Sequence, residues 1–186
     1  MFKVIWMNEV NKEEKKKSCL MDDLKVVISA VVIALIIRNF VFNLAVVNQT
    51  SMFPTLYPKD LVLVDRIVDW THNYKRGQIV IFKSPEDNKN LIKRLIGEPG
   101  DEVHIESGKV YVNGKELDEN YLQEGVYTDS YDENTWKLGK DEYFLMGDNR
   151  PGSYDCRNFG PIKEKALIGA TKNRIYPFKD FGKIDK

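Results

Sequence analysis

One stretch near the N-terminus limits what the rest of the chain can be. From Leu24 to Val47 the sequence is largely apolar, and from Val26 to Ile37 twelve consecutive positions carry no charge. An α-helix rises about 1.5 Å per residue against a hydrocarbon core of about 30 Å, so about 20 residues are needed to span a bilayer. Twelve do not suffice, but the window from Met21 to Phe42 does. Arg38 would cost about 2.5 to 3.5 kcal/mol at the bilayer centre and far less near an end, where its stem can snorkel, so it marks an outer boundary. Lys12, Lys15, Lys16, Lys17 and Lys25 precede the run, whereas only Lys59 falls in the twenty residues after Asn43. The positive-inside rule then puts the N-terminus in the cytoplasm. The expectation is a cytoplasmic segment at 1–20, a single-pass anchor at 21–42 in the cell membrane, and an extracytoplasmic domain at 43–186. A buried core helix would also suit so short a run. A secretory leader is the third reading, but no small-x-small cleavage site follows, which favours an uncleaved segment.

Beyond the anchor the pattern changes to short β-branched runs separated by turn residues: Leu61 to Val64, Gln78 to Phe82, Leu91 to Ile96, Val103 to Glu106 and Val110 to Val112. These lengths suit strands. Asn113-Gly114 between Val110-Tyr111-Val112 and Lys115-Glu116-Leu117 predicts a hairpin, because both residues take the positive φ of a type I′ turn. Pro85-Glu86-Asp87-Asn88 and Pro99-Gly100-Asp101 predict further turns. No run after residue 50 has helical periodicity, so the fold class is mainly β, with 102–142 as a smaller inserted β-subdomain. The polar stretch from Asp118 to Asn134 reads as a surface insertion. The 28 basic and 28 acidic side chains cancel, which leaves no electrostatic footprint for nucleic acid. Cys19 and Cys156 stand far apart and without metal-ligand neighbours, so neither a disulfide framework, a metal site nor a cofactor is expected.

The residues that can carry chemistry are few. Ser51, in Thr50-Ser51-Met52-Phe53-Pro54-Thr55-Leu56, stands directly after the anchor, where its hydroxyl would lie close to the outer membrane surface; read alone, it is equally a turn residue. A serine hydroxyl needs a base. The two histidines, His72 in a polar turn and His104 in an alternating strand, read as surface residues. Lysine can serve instead if burial lowers its pKa from about 10.4 by up to 3 to 5 units. Lys93, embedded in Leu91-Ile92-Lys93-Arg94-Leu95-Ile96, is the best placed of the lysines for that, although a lysine in a strand is commonly exposed.

Taken together these segments resemble the boxes of bacterial type I signal peptidases, in a short form similar to Gram-positive members. Ser51-Met52-Phe53-Pro54-Thr55-Leu56 matches the nucleophile box, and Arg76-Gly77-Gln78-Ile79-Val80-Ile81-Phe82 resembles the next. Lys93-Arg94-Leu95-Ile96-Gly97-Glu98-Pro99-Gly100-Asp101 is similar to the box of the general base. Gly147-Asp148-Asn149-Arg150-Pro151-Gly152-Ser153-Tyr154-Asp155-Cys156-Arg157 is similar to the last. The resemblance implies a membrane-bound serine endopeptidase that removes signal peptides from exported preproteins, cleaving after small residues of the Ala-x-Ala type through an acyl-enzyme. It implies Ser51 as nucleophile, Lys93 as general base and Ser153 as the group that orients Lys93, with Asp148, Asp155, Arg157 and Arg94 as support. The Ser51 backbone N–H is the implied oxyanion donor. A second donor comes in the family from the side chain two residues before the nucleophile, which here is Gln49. Matched positions give Ala45, Val47, Met52, Leu56, Ile81, Leu91 and Ile92 as pocket lining; each could equally be β-core.

The chain departs from the family pattern at Gln49, at Gln78 where aspartate is common, at Pro151-Gly152 and at Cys156, which stands for the usual serine. Cys156 reads as a small packed residue. Two competing readings remain at this level: a self-cleaving repressor-type Ser/Lys peptidase, and a catalytically silent membrane-anchored β-domain that binds signal sequences.

Overall fold

The computed structural model describes residues 22–35 and 42–184. Residues 22–35 form one helix, α1, on which Leu24, Val27, Val31 and Leu35 are exposed. No described helix is long and apolar enough to cross a membrane. The basic residues at 12–17, Cys19, Arg38 and Phe40 lie outside the described residues, so the expected anchor is represented only by α1. Phe42, its expected last residue, begins a strand.

The chain from Phe42 onward forms a separate compact unit. Its larger sheet takes strands β1 (Phe42–Val46), β2 (Leu61–Asp65), β3 (Ile79–Lys83), β4 (Asn90–Gly97), β9 (Glu142–Met146), β10 (Ile162–Lys163), β11 (Leu167–Tyr176) and β12 (Gly182–Lys183). The order is β1-β2-β11-β3-β4-β9-β10, with β12 beside β11 and every pair antiparallel. The second sheet has the order β7-β6-β5-β8, from β5 (Glu102–Glu106), β6 (Lys109–Val112), β7 (Lys115–Glu116) and β8 (Thr135–Lys137). Two short helices, α2 (Ile67–Thr71) and α3 (Cys156–Phe159), complete the unit.

The central strand β3 explains the layering. Successive strand side chains point to opposite faces, and here both faces are covered. Ile79 and Ile81 enter one apolar cluster with Val47, Met52, Leu56, Val62, Val64 and Ile92, while Val80 and Phe82 enter a larger one. Burying each such side chain stabilises by about 1.5 to 3 kcal/mol, so the two clusters fix the register of β3 from both sides. The second sheet docks through Val103, Ile105, Val110, Val112 and Trp136, which join the larger cluster; the Trp136 ring lies 4.6 Å from that of Phe144. Gly97 permits this docking, because a Cβ there would come within 2.6 Å of Leu138 Cδ1 and Val103 Cγ2.

The expected strands at 61–64, 78–82, 91–96, 103–106 and 110–112 are present within a residue at each end. The hairpin also forms: Asn113 and Gly114 have φ of 54° and 75°, and Val112 pairs with Lys115. Strands β1 and β8 to β12 were not anticipated. The polar stretch at 118–134 is also more than surface, since Tyr121 and Thr128 within it are buried.

Candidate active site

Ser51 owes its position to a closed loop. Val47 N–H donates to Asp60 O at 2.8 Å and Lys59 N–H returns to Val47 O at 2.7 Å, so residues 48–58 leave and rejoin the sheet at one point. Inside the loop, Leu56 N–H donates to Met52 O at 2.9 Å, and the side chains of Met52 and Leu56 are wholly buried in the smaller cluster. Those two anchors, one on each side of the turn, hold Ser51 still.

Lys93 lies on β4 opposite Val80, and its side chain is 1% exposed. Its Nζ sits 2.7 Å from Ser51 Oγ and 3.3 Å from Ile92 O. Loss of water around the ammonium favours the neutral amine. Burial is the largest influence on Lys93, opposed by the charge of Asp155 and assisted by that of Arg157, and its pKa falls from 10.5 to about 8. A lysine amine that loses its proton near about 8 and lies within hydrogen-bond reach of a serine hydroxyl is able to accept that hydroxyl's proton. The histidines are engaged elsewhere: His72 Nδ1 is 2.8 Å from Glu164 and His104 Nδ1 is 2.8 Å from Thr135 Oγ1.

Two buried ion pairs flank this centre. Arg94 holds Asp148 with Nε to Oδ1 at 2.8 Å and Nη2 to Oδ2 at 2.7 Å, and Thr55 Oγ1 donates to the same carboxylate. Arg157 holds Asp155 with Nε to Oδ1 at 2.9 Å and Nη2 to Oδ2 at 3.0 Å. Asp155 also caps α3 and accepts from Gly147 N–H at 2.9 Å. Gly147 is required here, since a Cβ would collide with Ser153 Oγ and with the backbone oxygen of Ser51. Asn149 N–H donates to that same Ser51 O at 3.0 Å, which ties the 147–157 loop directly to the serine.

Ser153, expected to orient Lys93, is buried, and its Oγ packs against Gly147 with no hydrogen-bond partner among the described residues. Met52 and Leu56, expected as pocket lining, border neither of the two cavities at the site. A cavity of about 620 Å³ is walled by Ala45, Val47, Gln49, Ile81, Leu91 and Ile92, and the two larger side chains are packed with Val47, Ile81 and Ile92 instead. A second cavity, of about 410 Å³, holds Ser51 and Lys93 and shares Asn48, Gln49 and Leu91 with the first. Cys156 is wholly buried, accepts from Leu145 N–H at 3.1 Å, and burial pushes its thiol pKa up, so it is a packed residue and not a nucleophile.

Residues 20–176 match the family described as signal peptidase, peptidase S26. The chain belongs to that family. It is 39% identical to signal peptidase I of Bacillus amyloliquefaciens over 186 residues, covering 95% of this chain and 99% of that protein. It is 38% identical to signal peptidase I S of Bacillus subtilis (strain 168), covering 91% of this chain and 96% of the relative. A crystal structure of a signal peptidase I from Enterococcus faecalis aligns with 53% of this chain and 96% of its own at 33% identity and a TM-score of 0.46. As a member of peptidase S26 the chain is a hydrolase, a serine peptidase of the signal peptidase I type.

Sequence reasoning missed Thr55, Glu119, Tyr121 and Arg150 in this signal peptidase. Thr55 meets Asp148 across 93 residues, a pairing with no local signal. Removing one member of a buried ion pair strands the other, at a cost of about 3 to 5 kcal/mol. Asp148→Ala should therefore lower the free energy of unfolding by about that much in equilibrium urea denaturation, and a loss of under about 1 kcal/mol, the value of a surface pair, would show that Arg94 is not confined as described.

Proposed function

We propose that this chain is a membrane-anchored signal peptidase that cleaves exported preproteins after small residues, with Ser51 as nucleophile and Lys93 as general base. The observation that carries the reading is the 2.7 Å approach of a buried lysine amine, with its pKa lowered to about 8, to the Ser51 hydroxyl. In the reacting complex the Ser51 hydroxyl donates to neutral Lys93. As Oγ bonds to the scissile carbonyl carbon its proton passes to Nζ, and the resulting ammonium then protonates the departing amine. Water, deprotonated in turn by Lys93, hydrolyses the acyl-enzyme and frees Ser51.

The oxyanion needs fixed donors, each worth about 2.7 to 4 kcal/mol where such contacts have been removed. The Ser51 amide donates no other hydrogen bond among the described residues and is free for this role. Gln49 lines both cavities and supplies the second donor through its side-chain amide.

Substrate binding follows from strand edges. Leu91 and Ile92 pair only with β3, because β9 joins β4 from Arg94 onward, so the other edge of this segment is open beside the larger cavity. An extended peptide can add there by main-chain hydrogen bonds and present alternate side chains to the wall. Met52 and Leu56 fill the space behind Val47, Ile81 and Ile92, which leaves a shallow apolar recess suited to alanine. Residues 21–41 form the single-pass anchor, 1–20 lie in the cytoplasm, and the β-domain that Phe42 begins stands outside the membrane.

Cleavage of a preprotein carrying an Ala-x-Ala site should be abolished by Ser51→Ala and by Lys93→Ala, and the double variant should be no worse than either, because a nucleophile and its base act as a unit. Cleavage by either single variant at the wild-type rate would sink the dyad. Raising pH neutralises Lys93, so kcat/KM should climb with pH through a midpoint near the amine's value of about 8. A climb beginning only around 10, the free lysine value, would contradict it. The anchor is tested by alkaline washing of membranes, where the full chain stays in the pellet; release into the supernatant would remove that part of the reading.

A further inference from the structure

The segment at 117–131, polar in sequence, grips the site from behind. Arg150 is fully buried, and its guanidinium is held by both oxygens of Glu119, whose side chain is 12% exposed. Tyr121 Oη donates to Glu119 Oε1 at 2.8 Å and accepts from Arg150 Nη2 at 3.4 Å. Thr128 Oγ1 accepts from Arg150 Nη1 at 2.8 Å, and Asp129 O accepts from Arg157 Nη1 at 3.1 Å. The face of the Tyr121 ring lies 3.9 Å beneath the guanidinium carbon of Arg94. One short stretch thus touches all three buried arginines.

These contacts lead inward to Ser51. Arg150 Nε donates to Gly147 O at 3.1 Å, which fixes the peptide plane between Gly147 and Asp148. From there Asp148 binds Arg94 and Thr55, and Asn149 N–H holds Ser51 O at 3.0 Å. The carbonyl of Ser51 belongs to the turn whose amide faces the reacting carbonyl. Arg157 Nη2 also donates to Arg150 O at 2.7 Å and to Ser153 O at 3.4 Å, so the loop is clamped at both ends of its 3-10 turn (Arg150–Gly152).

We propose that Glu119 and Tyr121 are positioning residues for the nucleophile, acting through Arg150 and Arg94 on the 147–157 loop. The inference rests on the assignment of Ser51 and Lys93 above. Neither residue touches substrate: no residue of 117–131 lines the cavity that carries Ala45 to Gln49 or the one that carries Ser51 and Lys93. Losing the Glu119 carboxylate strands a buried guanidinium. Arg150 then releases Gly147 O, and the Ser51 turn shifts while the groove keeps its shape. Displacement of a reacting group by about 1 Å costs on the order of a hundredfold in rate.

The test is a double-mutant cycle on the full chain with an Ala-x-Ala preprotein, using Glu119→Gln, Arg150→Gln and the pair, each with a thermal melt and an active-fraction count, and with Ser51→Ala as control. Glu119→Gln should lower kcat per folded molecule on the order of tenfold to a hundredfold and leave KM unchanged. In the Arg150→Gln background it should have no further effect. A wild-type kcat, a loss confined to KM, or losses that multiply independently would each overturn the proposal. If Glu119→Gln does not fold, Tyr121→Phe serves. It keeps the ring under Arg94 and removes only the shared hydroxyl, so kcat should fall at unchanged KM, and an unchanged kcat refutes the role. An active Ser51→Ala control would instead remove the nucleophile assignment, which is a separate failure from an inert Glu119.

Discussion

An amine that is 1% exposed can be held inside a protein in two ways: paired with a carboxylate as an ammonium, or left neutral. Lys93 is pushed toward the second, its pKa lowered to about 8. Among the described residues no carboxylate bonds its Nζ; its partners are the Ser51 hydroxyl and the Ile92 carbonyl. The two buried aspartates whose charge acts on Lys93, Asp148 and Asp155, are each bound by an arginine fork instead. That division of charges is the constraint on which the site depends. Were either aspartate freed, its full negative charge would act on Lys93 and draw the proton back, a direction in which both already pull.

The same logic reaches into the architecture. Arginine forks suit this task because the planar guanidinium stays charged and grips a carboxylate at two points. Each fork also ties distant chain together: Arg94 on β4 to the 147–157 loop, Arg157 on α3 to Asp129, and Arg150 to Glu119. The second sheet is therefore more than an appendage. It packs its apolar face on β4 and β9 around Gly97, and the loop between its strands β7 and β8 delivers Glu119 and Tyr121 to the back of the site.

What could be read from the sequence follows from which interactions are local. Strands such as Leu61–Asp65 and Glu102–Glu106 bury every second residue, and that alternation is visible in the chain. The ten-residue β11 was not visible. Its Lys172, Asn173 and Arg174 interrupt the apolar pattern and its register shifts against both neighbours, although it lies between β2 and β3. Ser51 and Lys93 could be singled out because position and setting favoured them. Met52 and Leu56 were assigned to the pocket because sequence does not separate a residue lining a wall from one packed behind it. Glu119 and Tyr121 were beyond reach, since they meet Arg150 across 31 and 29 residues and sit in a stretch whose composition suggests solvent.

The central claim is that burial beside Ser51 lowers the pKa of Lys93 to about 8, so that the neutral amine becomes available as pH rises through that value. The direct measurement is a nuclear magnetic resonance titration of the lysine Cε and Nζ in the full chain, with Lys93 assigned by its loss in Lys93→Ala. The account predicts that this one resonance titrates near about 8, apart from the bulk of the lysines. A Lys93 resonance that titrates with the others near about 10.4 would show that burial does not ease loss of its proton, and the account would fail.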